Sequence, residues 1–368
     1  MSKTQVGASA KKPANLFLLE GISVLSFNKD FSQVALSKKD NLIYIYSVTD
    51  FKNTDKWKLL HTLDSHYQYI SGLDWNPETN RLLSCSYDKT SFVWELKDKK
   101  WTPSNVVITT KLGYLCCKWN KRGDKFCEGT SAKQLLIGYF NPQNNWWMGV
   151  NIKAHKSSVV TCAIDSTSLF VLSGSTDLRI YVSSCYLPEV DDKFLTDQTK
   201  PLAQKFGQTI YEFRPNCWIN SVNWLPSGNY GIAAGQNATL TVINPKEQKE
   251  EVIKCKHSPV TMIIPIDDNS FYAVCYDRNI LEYAKKGDSW DIKRTITVEG
   301  EDKKAALSGS VSLRLQQFNQ MGNIKKENLA VTSKQAKHLH QSLISSVHIK
   351  GKEMITSDVS GFVKYWKL

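Results

Sequence analysis

Residues 66–96 read HYQYISGLDWNPETNRLLSCSYDKTSFVWEL, and their punctuation decides the fold. An apolar run ending in Asp74 and Trp75 is closed by the turn NPETN. A second run, RLLSCS, is closed by YDKT, and a third, SFVWEL, follows. Short β-branched and aromatic runs separated by Asn, Pro and Asp turns are the pattern of consecutive antiparallel strands.

The same order recurs along the chain. It is found at 22–48, 113–140, 158–182, 218–243, 259–283 and 343–368, giving seven copies in all. Asp40, Asp88, Asp177, Asn237 and Asp277 each stand just before the third run, where their side chains can bond nearby backbone. A further apolar segment such as WKLLHTL, NWWMGVNI or EEVIKCK separates successive copies and supplies a fourth strand. Four strands recurring about every 40–45 residues describe β-propeller blades. The expected fold is therefore all-β, a single seven-bladed β-propeller over residues 1–368.

Composition agrees with a large packed core and sets limits on function. Hydrophobic residues make up 41% and aromatics 11%, ample for a β-rich interior. The apolar runs stop far short of a membrane span, and the lysines near the start precede no signal-like apolar stretch. Nine cysteines stand in apolar contexts without a CxxC pair, which reads as buried, reduced thiols. The net charge of +12 comes without a concentrated run of lysine and arginine. Nucleic acid is thus not an expected partner, and a dispersed basic surface or an acidic protein partner fits better.

Enzyme chemistry has no foothold in the motifs. There is no phosphate-binding GxxxxGK[ST], no GxSxG elbow and no HExxH pair. His338 and His340 in KHLHQ lack a third ligand and read as an exposed polar turn. No catalytic residue, cofactor or metal is expected.

Two features depart from the repeat. Between blades 4 and 5, residues 184–209 mix charges with prolines and read as an extended surface loop. Between blades 6 and 7, residues 298–340 form a longer insertion carrying an amphipathic helix at about 311–321. Val311, Leu315 and Phe318 fall at i, i+4 and i+7, with Met321 a turn later, and Ser310 and Gly322 supply caps. So short a helix needs a surface to pack on. Either it folds back on the propeller, or it projects on polar tethers into a partner's groove. Ring closure is also legible: the seventh copy ends at its third strand, and the apolar segment 15–21 is placed to complete that blade.

His66, Ser84, Asp88 and Trp94 match the His, Ser, Asp, Trp set of WD-repeat blades, which in that family forms a buried hydrogen-bonded chain. This structural reading of His66 and Asp88 is preferred to a catalytic dyad. Other blades retain parts of the set, His155 with Asp177 and His257 with Asp277. Beyond the repeat, SFNKD at 26–30, the blade-two segment at 71–96, YFNPQNNWWMGVNIK at 139–153, STDLRIYVSSCYLPEVD at 175–191 and LRLQQFNQM in the second insertion resemble the p40 (subunit 1) family of the actin-related protein 2/3 complex.

That resemblance implies a non-enzymatic scaffold subunit of a seven-protein assembly that nucleates branched actin filaments, working in the cytoplasm at the actin cytoskeleton. It implies contacts with the actin-related proteins and small scaffold subunits, and with nucleation-promoting factors that carry acidic tails. The inserted helix is implied to contact actin, with Val311, Arg314, Leu315, Phe318 and Met321 as the candidate residues. The competing expectation is a WD-repeat adaptor of another assembly, such as a ubiquitin ligase or signalling complex.

Overall fold

The blade-two sequence folds as its turns dictate: Ile70–Trp75, Leu82–Ser86, Ser91–Lys97 and Lys100–Val107 form an antiparallel meander. Seven such four-stranded units are present in the computed structural model, which describes residues 15–17, 21–50, 53–287, 289–296, 340 and 342–368. The propeller comprises the described residues up to Ile296 and from His340 onward. The segment 297–339, with the whole inserted helix and Val311, Arg314, Leu315, Phe318 and Met321, lies outside the described residues.

Between blades, the alternation of each strand matters most. Successive side chains point to opposite faces, so each sheet carries two apolar faces and packs on both neighbours. Trp75, Trp94 and Trp101 of blade 2 meet Ile43, Ile45 and Leu63 of blade 1. Phe126 and Trp147 of blade 3 meet Leu83 and Val93 of blade 2. The adjacent tryptophans of NNWW show the rule directly: Trp147 is buried, and Trp146 is exposed.

The first strand of blades 2 to 7 shares a local feature. Its register slips by one residue after the first pair, at Ile70/Gly72, Tyr114/Cys116, Val159/Thr161, Ile219/Ser221, Val260/Met262 and Ile344/Ser346. Such a bulge increases the local twist, which suits strands that converge on the ring axis. One pairing was not legible in the repeat: the outer strands of blades 2 and 3 join in parallel, Trp147 opposite Val106, so these two blades share one eight-stranded sheet.

Blade 7 takes three strands from Ile344–Lys350, Glu353–Asp358 and Phe362–Lys367, and its fourth is Asn15–Phe17, antiparallel to Phe362–Lys367. Blade 7 is joined to blade 1 by Ile355 and Val363, packed with Ile22, Leu25 and Leu36, and by His348, whose Nε2 lies 2.9 Å from the Leu25 carbonyl. Deleting residues 1–21 bares the ladder of Phe362–Lys367 and removes three residue pairs. At about 1 kcal/mol per net hydrogen bond, the expected loss is roughly 2–3 kcal/mol, read as a lower calorimetric Tm. An unchanged Tm would show that this strand contributes nothing to closure.

The stretch 184–209 connects Ile180–Ser184 to Thr209–Phe213 and contains a helical turn, Pro188–Asp191, followed by 3-10 turns at Asp192–Phe194 and Lys200–Leu202. Asp191 is fully buried and binds the equally buried Lys125 of blade 3 at 2.7 Å. All nine cysteines are free thiols, and all but Cys116 are buried.

Candidate functional site

In a meander of four strands, the turn from second to third strand and the link from the fourth strand to the next blade lie at the same end. Backbone bonds tie these two loops together, as from Tyr87 N to Tyr69 O, Thr176 N to Ser158 O, and Gln236 N to Trp218 O. This end of the ring, the upper rim, carries the histidine of each set on the link and the aspartate on the turn.

Blade 2 holds the full chain. Trp94 Nε1 donates to Ser84 Oγ at 2.9 Å, and Ser84 Oγ is 2.8 Å from His66 Nε2. His66 Nδ1 in turn is 3.2 Å from Asp88 Oδ2. Because the indole can only donate, the serine hydroxyl donates onward to Nε2, and Nδ1–H points at the carboxylate. Burial pushes the Asp88 carboxyl up, but donors from His66, Thr90 and the backbone N–H of Tyr67 and Thr90 outweigh it and hold the group well below the usual carboxylate range. Every polar atom in the chain has a partner, the condition under which buried polar groups are tolerated. The Ser84 hydroxyl is buried, and its partners Trp94 and His66 belong to the same blade.

His340 corrects the reading of KHLHQ. It is buried, not part of an exposed turn, and stands at the centre of a second complete set. Trp366 Nε1 donates to Thr356 Oγ1 at 2.8 Å, Thr356 Oγ1 is 2.5 Å from His340 Nε2, and Nδ1 is 2.9 Å from Asp358 Oδ2. Burial keeps the imidazole neutral by lowering its pKa. His338 lies outside the described residues. Blade 4 keeps three members, with His155 bound to Ser173 and Asp177. In blade 6, His257 and Asp277 face each other at 3.4 Å, each about one-third exposed. Hydrogen bonding to Asp277 raises the His257 pKa. Burial acts upward on Asp277, but its hydrogen-bond partners outweigh it and set the carboxyl at about 2.

With these aspartates engaged, the rim displays mostly cations and rings. Lys39, Lys89 and Lys133 occupy turn tips with φ of 62°, 71° and 67°, and all three are exposed, as is Lys156. Tyr67 is 87% and Trp218 58% exposed, values far above those of core aromatics, and Tyr87 stacks on Tyr69 at 5.4 Å. Trp218 and Tyr276 border a cavity of about 350 Å³. Cations interleaved with exposed aromatics suit an acidic segment with an apolar anchor. Sequence reasoning missed this rim, since a turn lysine and a loop tryptophan carry no periodic signal.

At the axis, the first strands enclose a cavity of about 540 Å³ whose lining includes Asp74, Lys118, Asn223 and His348. Burial lowers the His348 pKa to about 4 and raises that of Asp74. The neutral imidazole is spent on the Leu25 carbonyl, and an Asp74 oxygen accepts from the Trp119 N–H at 2.7 Å. Among the described residues no three His, Cys, Asp or Glu side chains are placed to hold a metal ion, and no helix is long and apolar enough to cross a membrane.

Comparison with known proteins agrees with the geometry. The family model described as "WD domain, G-beta repeat" matches residues 57–95 and 148–182. Actin-related protein 2/3 complex subunit 1A of Arabidopsis thaliana is 28% identical over 363 residues, covering 95% of this chain and 94% of that protein. Subunit 1A-A of Xenopus laevis is 31% identical over 268 residues, 71% of this chain and 70% of that protein. Subunit 1 of Schizosaccharomyces pombe is 23% identical over 265 residues, 68% and 67% of the two chains. With the WD-repeat hydrogen-bonded sets in place and the match running across most of both chains, this seven-bladed protein belongs to the family of actin-related protein 2/3 complex subunit 1.

Proposed function

We propose that the chain is a non-catalytic scaffold subunit of the actin-related protein 2/3 complex, supporting nucleation of branched actin filaments in the cytoplasm. The observation that carries this reading is the closure of the ring without the insertion. Blade 6 is completed by Ser289–Ile296 and blade 7 begins at Ile344–Lys350, so the four strands of each of the seven blades come from described residues outside 297–339. The sequence joining these two blades, 297–339, is far longer than such a link needs.

In this reading Val311, Arg314, Leu315, Phe318 and Met321 contact actin. The propeller packs on the actin-related proteins and small scaffold subunits, and the basic, aromatic rim suits the acidic tails of nucleation-promoting factors. The double variant Leu315→Ser, Phe318→Ser tests it. Truncating two apolar anchors at a contact typically costs about 2 kcal/mol or more of binding energy. Branch density at fixed complex concentration is expected to drop severalfold, with the Tm of the variant unchanged. A fall in Tm would place the two side chains in the core instead. Affinity purification separates this reading from an adaptor of another assembly, such as a ubiquitin ligase. Recovery of the actin-related proteins supports it, and a stable complex without them removes it.

A further inference from the structure

Side chains alternate along a strand, so the neighbours Cys116 and Cys117 on Tyr114–Trp119, the first strand of blade 3, point to different blades. Cys117 faces blade 2: its sulfur and that of Cys85 would each stand 2.8 Å from a Cβ on Gly72. Cys116 faces blade 4, and its sulfur lies 3.6 Å from that of Cys162 on Val159–Ile164, the first strand there. The repeat shows what this contact replaces. At the place of Cys116, just past the bulge, blades 4 and 5 carry Thr161 and Ser221. Thr161 Oγ1 accepts from the Val222 N–H at 3.0 Å and Ser221 Oγ from the Ile263 N–H at 3.2 Å, so each hydroxyl ties its blade to the next. Blade 3 has a thiol there instead, and the residue it meets, Cys162, holds the place of Val222 and Ile263.

Gly129, opposite Cys116 in the register, makes the contact possible: a Cβ there would stand 2.9 Å from the Cys116 sulfur. Access also singles out this pair. Of the nine cysteines only Cys116 is not buried, and it borders the axial cavity of about 540 Å³, whereas Cys162 is 2% exposed. A small oxidant in that cavity therefore meets Cys116 first, with a second sulfur already in contact behind it. We propose that Cys116 and Cys162 form a modification site, a dithiol that hydrogen peroxide closes reversibly into a disulfide between blades 3 and 4.

The Cys116 sulfur attacks one oxygen of hydrogen peroxide. A sulfur–oxygen bond forms as the oxygen–oxygen bond breaks, and the departing hydroxide leaves as water with the thiol proton. Cys116 is then a sulfenic acid. The Cys162 sulfur displaces its hydroxyl, which leaves as a second water with the Cys162 proton, and a sulfur–sulfur bond replaces the sulfur–oxygen bond. Peroxide is thus reduced by two electrons and the two thiols are oxidised to one disulfide. The sulfurs need to approach by about 1.5 Å to reach a bond length of about 2.05 Å. A small dithiol reverses the closure by exchange.

The order of attack follows from the surroundings of the two sulfurs. Thiol contacts with Cys116 and Cys127, and burial, hold Cys162 protonated, so it takes the closing part and its proton passes to the leaving hydroxyl. Cys127, on the second strand of blade 3, shares a cluster with Cys162 but is fully buried, which makes it the competitor that an oxidant reaches later. Cys85 and Cys117, on the other side of blade 3, are buried as well.

The experiment titrates hydrogen peroxide onto the native full chain, alongside the urea-unfolded chain, and reads disulfide-linked peptides by mass spectrometry without reduction. The Cys116–Cys162 link is expected to appear first and to vanish with dithiothreitol. It should be enriched about tenfold or more over the unfolded chain, where pairing follows loop length. That readout uses the unmutated protein, so it stands even where a variant misfolds. Cys162→Ser should instead accumulate a dimedone-trapped sulfenic acid on Cys116, and Cys116→Ala should leave Cys162 unmodified. A first link joining Cys127 to Cys162, Cys85 to Cys117 or Cys255 to Cys275, or a Cys116–Cys162 link no more abundant than in the unfolded chain, would overturn the proposal.

Discussion

Asp191→Ala is expected to lower the stability of the propeller by roughly 3–5 kcal/mol, the range found when one partner of a buried ion pair is removed. Lys125 and Asp191 are both fully buried. The ammonium of Lys125 donates to Asp191 Oδ2 at 2.7 Å, to the Ser168 carbonyl at 2.5 Å and to the Cys185 carbonyl at 2.9 Å, which uses all three of its protons. The carboxylate also accepts from Arg122 at 2.5 Å and from the Leu187 N–H at 2.8 Å. Removing it leaves a cation in the interior facing two carbonyl dipoles but no counter-charge. The double variant Lys125→Met, Asp191→Leu removes both charges and should recover most of the loss. Urea unfolding midpoints of the three proteins check this. Equal midpoints for the single variant and the parent would mean that the pair is solvated.

The same pair shows where the sequence stops being readable. Lys125 and Asp191 are 66 positions apart, on different blades, and a lysine in GDKFCEG has no local mark of burial. The 184–209 stretch therefore reads as a surface loop, and nothing local marks that its turn Pro188–Asp191 is tied to blade 3 through the buried Asp191. The blades themselves were legible because strand alternation and Asn, Asp and Gly turns are local signals repeated seven times. The polar set of blade 2 was legible because its members keep their usual spacing, with His66 and Asp88 22 residues apart. In blade 7 the separation from His340 to Asp358 is 18, so the carboxylate arrives from a position two residues closer to its hydroxyl partner, Thr356. A pattern anchored on fixed offsets passes over it. The geometry tolerates the shift because the carboxylate still comes within 2.9 Å of Nδ1.

The rim repeats this lesson in functional terms. The turn tips bearing Lys39, Lys89 and Lys133 are readable as turns, but that they share one end of the ring follows only from the meander. The strong positive balance then acquires a direction, because Asp88, Asp177, Asp277 and Asp358 on the same end are occupied by histidines. Lysines dispersed in the sequence are thus gathered on one end beside aspartates that are already engaged.

Glu128→Gln is expected to stabilise the protein in alkaline solution and to do little in acid. Glu128 sits on the second strand of blade 3, 1% exposed, and among the described residues Ser91 supplies its one hydrogen bond. No cation acts on it, so burial dominates and pushes the carboxyl up to about 8. Tyr114, Cys85 and Cys117 around it are held protonated by burial as well, which leaves nothing to neutralise an anion. The folded state thus binds this proton more tightly than the unfolded chain, whose glutamate titrates near 4.5. The stability so gained is complete below about pH 4.5 and is lost as the pH rises to about 8. At about 1.4 kcal/mol per unit, the loss amounts to roughly 3–5 kcal/mol above pH 8. A glutamine side chain, neutral throughout, escapes it. Urea midpoints of the parent and the variant should coincide within error at about pH 5 and separate at about pH 8.5, where the variant unfolds at the higher urea concentration. Parallel curves across that range would mean that the carboxylate ionises in place at no cost, and that water or a cation reaches it.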